Sequence, residues 1–336
     1  MSVKPATYSL VSIVIPMYNE SGAIRRCLES LFLQDYPQDR LDIVVADGCS
    51  TDGSADVVKS FASGRTNLRL ITNPKQRTPA GLNAGIRASK SEIVIILGAH
   101  TRVKEDFVRL NVEALERTGA KCAGGTQINV GDTYLQQAIG IAMASPFGLA
   151  SAPYRFSRRE QYVDTVVYAA YKRELFDEVG FFDEDLFISE DAEMNWRIRK
   201  AGHRIFFTPK IISYYYPRKT ISSLFRQLFR YGILRVNVMK KHLDAVKWIH
   251  LVPVACMILA AALLLLGQWK ALILLLGFYV LAVLYYSLRG ALREGMRYLP
   301  VLPLLMAIIH LGWGAGFVVG LFKSQEPCPK PQKPSF

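Results

Sequence analysis

Over the first hundred residues, short apolar runs rich in Val, Ile and Leu alternate with stretches of helical pattern. Leu10–Ile15, Asp42–Ala46, Leu68–Thr72 and Glu92–Leu97 predict strands buried on both faces, as in a parallel sheet. Between them Ile24, Cys27, Leu28 and Leu31 recur at helical spacing. Ala55–Phe61 and Pro79–Ala88 predict two more helices, the second with Pro in its first turn. This alternation predicts an α/β doubly wound sheet with right-handed crossovers and a ligand crevice at the carboxyl ends of the strands. Residues 120–190 are less regular and read as the second half of the same domain, with long loops. A helix over Glu193–Ala201 and a strand over Ile205–Thr208 follow.

The last third changes character. Ile249–Gly267, Ala271–Ser287 and Leu299–Phe322 contain no Asp, Glu, Lys or Arg, and about 20 such residues span a bilayer core. Three such runs in succession predict membrane spans at 249–267, 271–287 and 299–322. Pro300, Pro303 and the glycines of the third leave room for a kink or a re-entrant element. Lys240, Lys241 and Lys247 precede the first span, and Arg289, Arg293 and Arg297 separate the second from the third. Lys270 lies between the first and second. The positive-inside rule then places the N-terminal domain in the cytosol and the Pro-rich tail on the far side, against the pull of Lys323, Lys330 and Lys333. Before the first span, Leu224, Leu228, Tyr231, Leu234 and Val238 form one helical face, with Arg226, Arg230 and Arg235 basic. That pattern fits an interfacial helix or a packed amphipathic one, and its position favours the membrane. The expected organisation is a cytosolic domain over 1–240 including this helix near 220–242, membrane helices within 241–323, and a tail over 324–336.

The net charge of +13 suits an anionic membrane surface or nucleic acid. The basic residues form no stripe with stacking aromatics and concentrate before the apolar runs, so no nucleic-acid partner is expected. Five cysteines, widely spaced, show no metal-ligand or redox spacing and read as reduced thiols. The short run ending at Pro16 reads as a first strand rather than a signal peptide.

The first strand leads into Pro16-Met17-Tyr18-Asn19-Glu20, with no GxGxxG behind it, which argues against a Rossmann dehydrogenase. The second ends in Asp47-Gly48-Cys49-Ser50-Thr51-Asp52-Gly53-Ser54. An acid at a strand's carboxyl end is placed to accept hydrogen bonds from a ribose or base, which is the reading for Asp47. Asp52 and Ser54 read better as helix caps.

The strings VSIVIPMYNE, IVVADGCSTDGS, AGLNAGIRAS and ISEDAEMNWRIRKAGHRI together resemble the family 2 inverting glycosyltransferases of GT-A fold. Within that family the chain is similar to bacterial membrane enzymes of exopolysaccharide synthesis, such as the succinoglycan glycosyltransferases, over residues 8–235. The resemblance implies that Pro16, Tyr18, Glu20 and Asp47 contact the donor nucleoside. It also implies donor contacts for Arg77, Asn83, Gly98 and Ala99, and Asp191 as catalytic base. Glu190, with Gln227, Arg230 and Tyr231 of a QxxRW-like motif, would serve the diphosphate and acceptor.

Where the family carries Asp-x-Asp, this chain has Gly98-Ala99-His100. Imidazole ligates Mn²⁺ better than Mg²⁺, so His100 is the expected ligand of a divalent metal, Mn²⁺ before Mg²⁺, with a plain hydrogen bond to the donor as the alternative. The implied partners are a nucleotide-sugar donor (a UDP-hexose by default), a lipid-linked glycan acceptor and membrane lipids. The implied location is a bacterial inner membrane. A processive synthase and a non-catalytic nucleotide-sugar-binding membrane protein are the alternatives.

Overall fold

The structure, a computed structural model, describes residues 8–149, 152–186, 190–242, 244 and 248–322. Ser189, Lys247 and the tail after Phe322 lie outside the described residues. The chain folds as two compact units. The first joins the described part of Met1–Ile128 to Ser157–Tyr215, and the second joins Asn129–Phe156 to the described part of Tyr216–Pro327.

In the first unit, β1 (Val11–Met17), β2 (Leu41–Asp47), β3 (Leu68–Thr72) and β4 (Ile93–Ile96) pair in parallel in the order β3-β2-β1-β4. All four stand within a residue or two of their predicted places, because Ile13, Ile15, Ile43, Val45 and Ile95 are buried between two helical layers. The crossovers carry α1 (Ser21–Phe32), α2 (Ser54–Ala62) and α3 (Thr78–Ala88). α3 lies so close on β1 that any Cβ at Gly85 would collide with the Val14 side chain.

Beyond β4 the sheet continues in antiparallel strands. β5 (Thr101–Val103), α4 (Phe107–Thr118), β6 (Cys122–Asn129), β7 (Gln161–Val163), β8 (Ala170–Lys172), α6 (Glu174–Val179), α7 (Glu190–Lys200) and β9 (Ile205–Tyr215) follow. β8 runs antiparallel to β4 and to β6, and β5 and β7 run antiparallel to β9. The sheet is therefore mixed, and the stretch expected to be long loops contains strands and helices. Three-residue strands are too short to show a period, which is why pattern reading missed them. Gly124 and Gly125 allow close approach within this half, since a Cβ there would strike Val166 and the Ile211 backbone.

The second unit is helical: α5 (Tyr134–Ala144), α8 (Ile221–Lys241), α9 (Trp248–Leu265), α10 (Trp269–Glu294) and α11 (Leu302–Phe322). The last three are long and apolar enough to cross a membrane, as predicted. By its contacts α8 groups with α11 in the second unit. Its apolar face, expected to meet lipid, packs on protein: Leu224, Leu228 and Val236 are fully buried. Gly312, Gly316 and Gly320 repeat every fourth residue on α11 and open its surface to the α8 backbone. A Cβ at Gly312 would lie 3.1 Å from the Phe225 carbonyl oxygen, and one at Gly320 3.0 Å from Ile233 Cα. At Gly316 it would overlap the Phe229 carbonyl, and at Gly232 of α8 the Trp313 carbonyl.

Gly316→Val is expected to cost about 3 kcal/mol, the upper end of overpacking penalties, because the obstacle is backbone rather than a mobile side chain. Thermal unfolding in detergent measures it. Gly277→Val on α10, where a Cβ meets nothing within 4 Å, should leave the midpoint in place.

Candidate active site

The parallel register brings the ends of β1 and β2 level, with Met17 opposite Asp47. Gly48 N–H donates to the Met17 carbonyl at 2.7 Å, and the Tyr18 ring lies 3.1 Å from where a Cβ on Gly48 would be. The two loops that follow are laced together. Asn19, at φ 53°, takes a hydrogen bond from Thr51 N–H at 2.8 Å, while its own N–H donates to Ser50 Oγ at 2.9 Å. Glu20 N–H donates to Ser54 Oγ at 2.7 Å, and Ser21 N–H donates to Asp52 at 2.9 Å. Asp52 thus caps the start of α1 from across the crevice. Partial burial would raise its pKa, but the hydrogen bonds from Ser54 and Ser21 outweigh this and hold it at about 2.

Asp47 stands at the mouth of this lacing. Its carboxylate accepts from Ser50 N–H at 3.2 Å and from the Ser50 hydroxyl at 2.6 Å. Pro16 lies on β1 opposite Ala46. His100 Nδ1 and Glu20 Oε1 stand 3.2 Å apart, and the His100 ring meets Tyr215 edge-on at 5.9 Å. Among the described residues no group of three His, Cys, Asp or Glu side chains is arranged to hold a metal ion. Gly98 packs beside His100, where a Cβ would meet Thr101 Oγ1 at 3.3 Å and the imidazole at 3.5 Å.

Ala99 is buried in the core. Asn83 is also buried. Its amide donates to the Phe182 carbonyl at 2.8 Å and to Glu184 at 2.9 Å, while its oxygen accepts from Phe182 N–H at 2.9 Å. Arg77 likewise donates to the Glu184 carbonyl at 3.1 Å. α3 therefore grips the segment leading toward α7.

α7 grips the same segment from its other side. Arg197 donates to the carbonyls of Val179 and Phe181 and forms a paired bond with Glu193, 2.8 Å at each contact. Glu193 is buried, and so is Asn195, which donates to Thr165 Oγ1 and the Val166 carbonyl. Sequence reasoning passed over Glu193 and Arg197. Their spacing, acid then base four residues on, is a helix-pair signal, but nothing in it says the pair is buried.

At the start of α7, burial and then the Asp191 charge push the Glu190 carboxyl from 4.5 up to about 8. Asp191 accepts from Ala192 N–H at 2.7 Å. The Tyr171 hydroxyl is fully buried, and burial, with Cys122 and Asp191 adding, raises its pKa well above the ordinary phenol value. Gln227, Arg230 and Tyr231 lie on α8 in the second unit, where Gln227 donates to the Tyr231 hydroxyl at 3.1 Å.

A parallel half with an acid at the end of β2, continued by an antiparallel half that leads to an acidic helix start, is the GT-A architecture of sugar-transferring enzymes. Glycosyl transferase family 2 matches residues 12–180, and the chain belongs to that family; it is a glycosyltransferase. The succinoglycan biosynthesis protein ExoA of Rhizobium meliloti is 31% identical over 94% of this chain and 96% of its own. A dolichyl N-acetyl-alpha-D-glucosaminyl phosphate 3-beta-D-2,3-diacetamido-2,3-dideoxy-beta-D-glucuronosyltransferase of Methanococcus voltae is 28% identical over 95% of this chain and 99% of its own. Among solved structures, the mannosyltransferase PcManGT of Pyrobaculum calidifontis, in complex with GDP-Man and Mn²⁺, shares the fold at a TM-score of 0.64. That likeness, at 22% identity, covers 96% of this chain and 89% of the other.

Arg197→Met removes the cation held against the buried Glu193 carboxylate and is expected to cost about 3–5 kcal/mol, as broken buried pairs do. Adding Glu193→Leu should recover most of that loss in the same unfolding experiment. Because the native state holds the Glu190 proton more tightly than the unfolded chain, stability should fall as pH rises between 4.5 and about 8. Glu190→Gln removes this contribution, so the melting-temperature difference between variant and parent should grow in the variant's favour across that window.

Proposed function

We propose that the chain transfers a hexose, with inversion, from a nucleotide-sugar donor to a hydroxyl of a lipid-linked or other membrane-proximal glycan. The Glu190–Asp191 pair carries this reading. Burial and the neighbouring Asp191 charge raise the Glu190 carboxyl to about 8, so it is placed to keep its proton near neutral pH. Asp191 beside it is the proposed general base. Asp191 takes the acceptor proton as the acceptor oxygen bonds to the anomeric carbon. The bond from that carbon to the diphosphate breaks, and the nucleoside diphosphate departs with its electron pair.

The relatives support the substrate class, since one is named for succinoglycan biosynthesis and another for a dolichyl-phosphate-linked acceptor. Asp47, Tyr18 and Pro16 at the strand ends suit the nucleoside, and a UDP-hexose is the default donor. The departing diphosphate needs positive charge. His100 and Glu20 suit a divalent cation in one respect: ligands at about 2.1 Å and right angles lie about 3 Å apart, close to their 3.2 Å separation. With one nitrogen and one oxygen from the protein, the diphosphate and water complete such a site, and Mn²⁺ tolerates the imidazole better than Mg²⁺. A bound cation there supplies Lewis acidity toward the leaving group. The catalytic unit is assigned to the cytosolic side of a bacterial inner membrane, as the basic flanks of α9 and α10 suggest.

Turnover of UDP- and GDP-sugars by the detergent-solubilised protein, with membrane lipid extract as acceptor, tests the reading. One donor should be consumed, Asp191→Asn should lower the rate by about 10²–10⁴-fold, and EDTA should abolish it until Mn²⁺ is restored. Full activity of Asp191→Asn would remove Asp191 as base, and full activity in EDTA would remove the metal.

A further inference from the structure

α11 is as apolar as α9 and α10, but its surroundings differ. It is 44% buried, against 11% for each of the other two. α8 covers it, and the contacts advance in step: Phe225 and Leu228 meet Gly312, Phe229 meets Gly316, and Ile233 and Val236 meet Gly320. Equal steps in the same direction make the two helices parallel. At the end of α8, Lys240 Nζ donates to the carbonyls of Gly320 at 2.9 Å and Leu321 at 3.2 Å, closing the end of α11. Arg226, Arg230, Lys240 and Lys241 are exposed on α8. If α11 crossed a bilayer, α8 would be carried across beside it, with exposed cations at hydrocarbon depth, where they are costly.

The other two helices support the same conclusion. α9 and α10 are joined through Leu266, Gly267 and Gln268, with Gly267 at φ 64°, and form a hairpin. The first turns of α9 rest on the second half of α11. There the Trp313 indole donates to the His250 carbonyl at 3.2 Å, and Val254 clusters with Phe317. From Tyr279 onward α10 rests on the first half of α11, with Tyr279 Oη 3.1 Å from His310 Nδ1 and Ser287 Oγ 3.6 Å from Met306 Sδ. Three successive crossing helices alternate in direction, so the start of α9 would stand level with the start of α11. Instead both feet of the hairpin stand on α11, on the order of 15 Å apart along its axis at 1.5 Å per residue.

We propose that α8 and α11 lie together in the anionic headgroup layer of one leaflet and that the α9–α10 hairpin is what crosses. The chain before α9 and the chain after α10, including whatever follows Phe322, then stays on one face of the membrane. The charges agree: the hairpin turn carries Lys270, while Arg289, Arg293 and Arg297 lie on the other side. Lys323, Lys330 and Lys333, which opposed a far-side tail, join them there. Tyr285, Leu288 and Leu292 line a shallow groove on α10 together with Arg289 and Arg293, which offers cations to a lipid phosphate. Gln227 and Arg230 ride on the same platform, at the depth of a lipid-linked acceptor's phosphate. The placement does not depend on which sugar is moved.

Cysteine labelling of the full chain in sealed vesicles of both orientations tests it. Cys49 is exposed in the first unit, and Cys27 and Cys122 are buried. Burial pushes the Cys27 thiol up to about 12 and raises that of Cys122, so both remain in place without reacting. With Cys256 replaced by Ser throughout, three variants retain Cys49 alone, Cys328 alone, or an added Gln268→Cys alone as reactive thiol. A membrane-impermeant maleimide should label Cys49 and Cys328 in inside-out vesicles and Gln268→Cys in right-side-out vesicles. Labelling of Cys328 together with Gln268→Cys would overturn the proposal. If Cys328 reacts in neither, a C-terminal alkaline phosphatase fusion decides: inactive phosphatase supports the platform, active phosphatase refutes it. Both readouts are independent of sugar transfer, so loss of catalysis and a crossing α11 are told apart.

Discussion

The lacing between the loop after β1 and the loop after β2 is the interaction on which the site depends. Both loops leave the sheet at the same level and carry backbone N–H groups that have lost their strand partners. Asn19, Ser50, Asp52 and Ser54 satisfy those groups reciprocally, so neither loop is complete without the other. The left-handed conformations of Asn19 and Cys49 are sustained by this network. Asp47 is presented by it, held by Ser50 in a fixed direction instead of turning freely in solvent.

A second constraint acts on the acidic helix start. The segment from Val179 to Glu184 has few backbone partners of its own, and side chains from two directions supply them. Asn83 and Arg77 reach it from α3, and Arg197 reaches it from α7. Arg197 is held by a buried carboxylate, so the clamp is rigid at the cost of burying a charge pair. Because the segment is tied to α3, a shift of α3 against β1 would be felt at Glu190 and Asp191. Gly85 prevents such a shift by letting helix and strand touch.

The second unit solves a different problem. An apolar helix and a cationic amphipathic one are packed along their length, and lipid supplies no hydrophobic drive for that pairing. Close backbone approach through Gly232, Gly312, Gly316 and Gly320 provides the dispersion contacts instead. Lys240 then satisfies the last carbonyls of α11, which would otherwise be left exposed at the helix end.

How much of this was legible in advance follows from the range of each interaction. Continuous apolar runs mark β1 to β4, and long uncharged stretches mark α9 to α11, because burial on both faces and length across a bilayer are properties of consecutive residues. The family, and with it the expectation of acids at Asp47 and Asp191, was readable for the same reason: its motifs are local strings. In the antiparallel half β9 was readable in part, but β5, β7 and β8 were not, since three-residue strands have no period and their partners lie far along the chain. Asn83 belongs to the local motif beside Arg77; only tertiary structure shows its amide bonded to Phe182 and Glu184. Hydropathy could not separate α11 from its neighbours, because it measures what a helix is made of and not what lies against it. The contact with α8 decided that, through glycines whose effect exists only where two backbones meet.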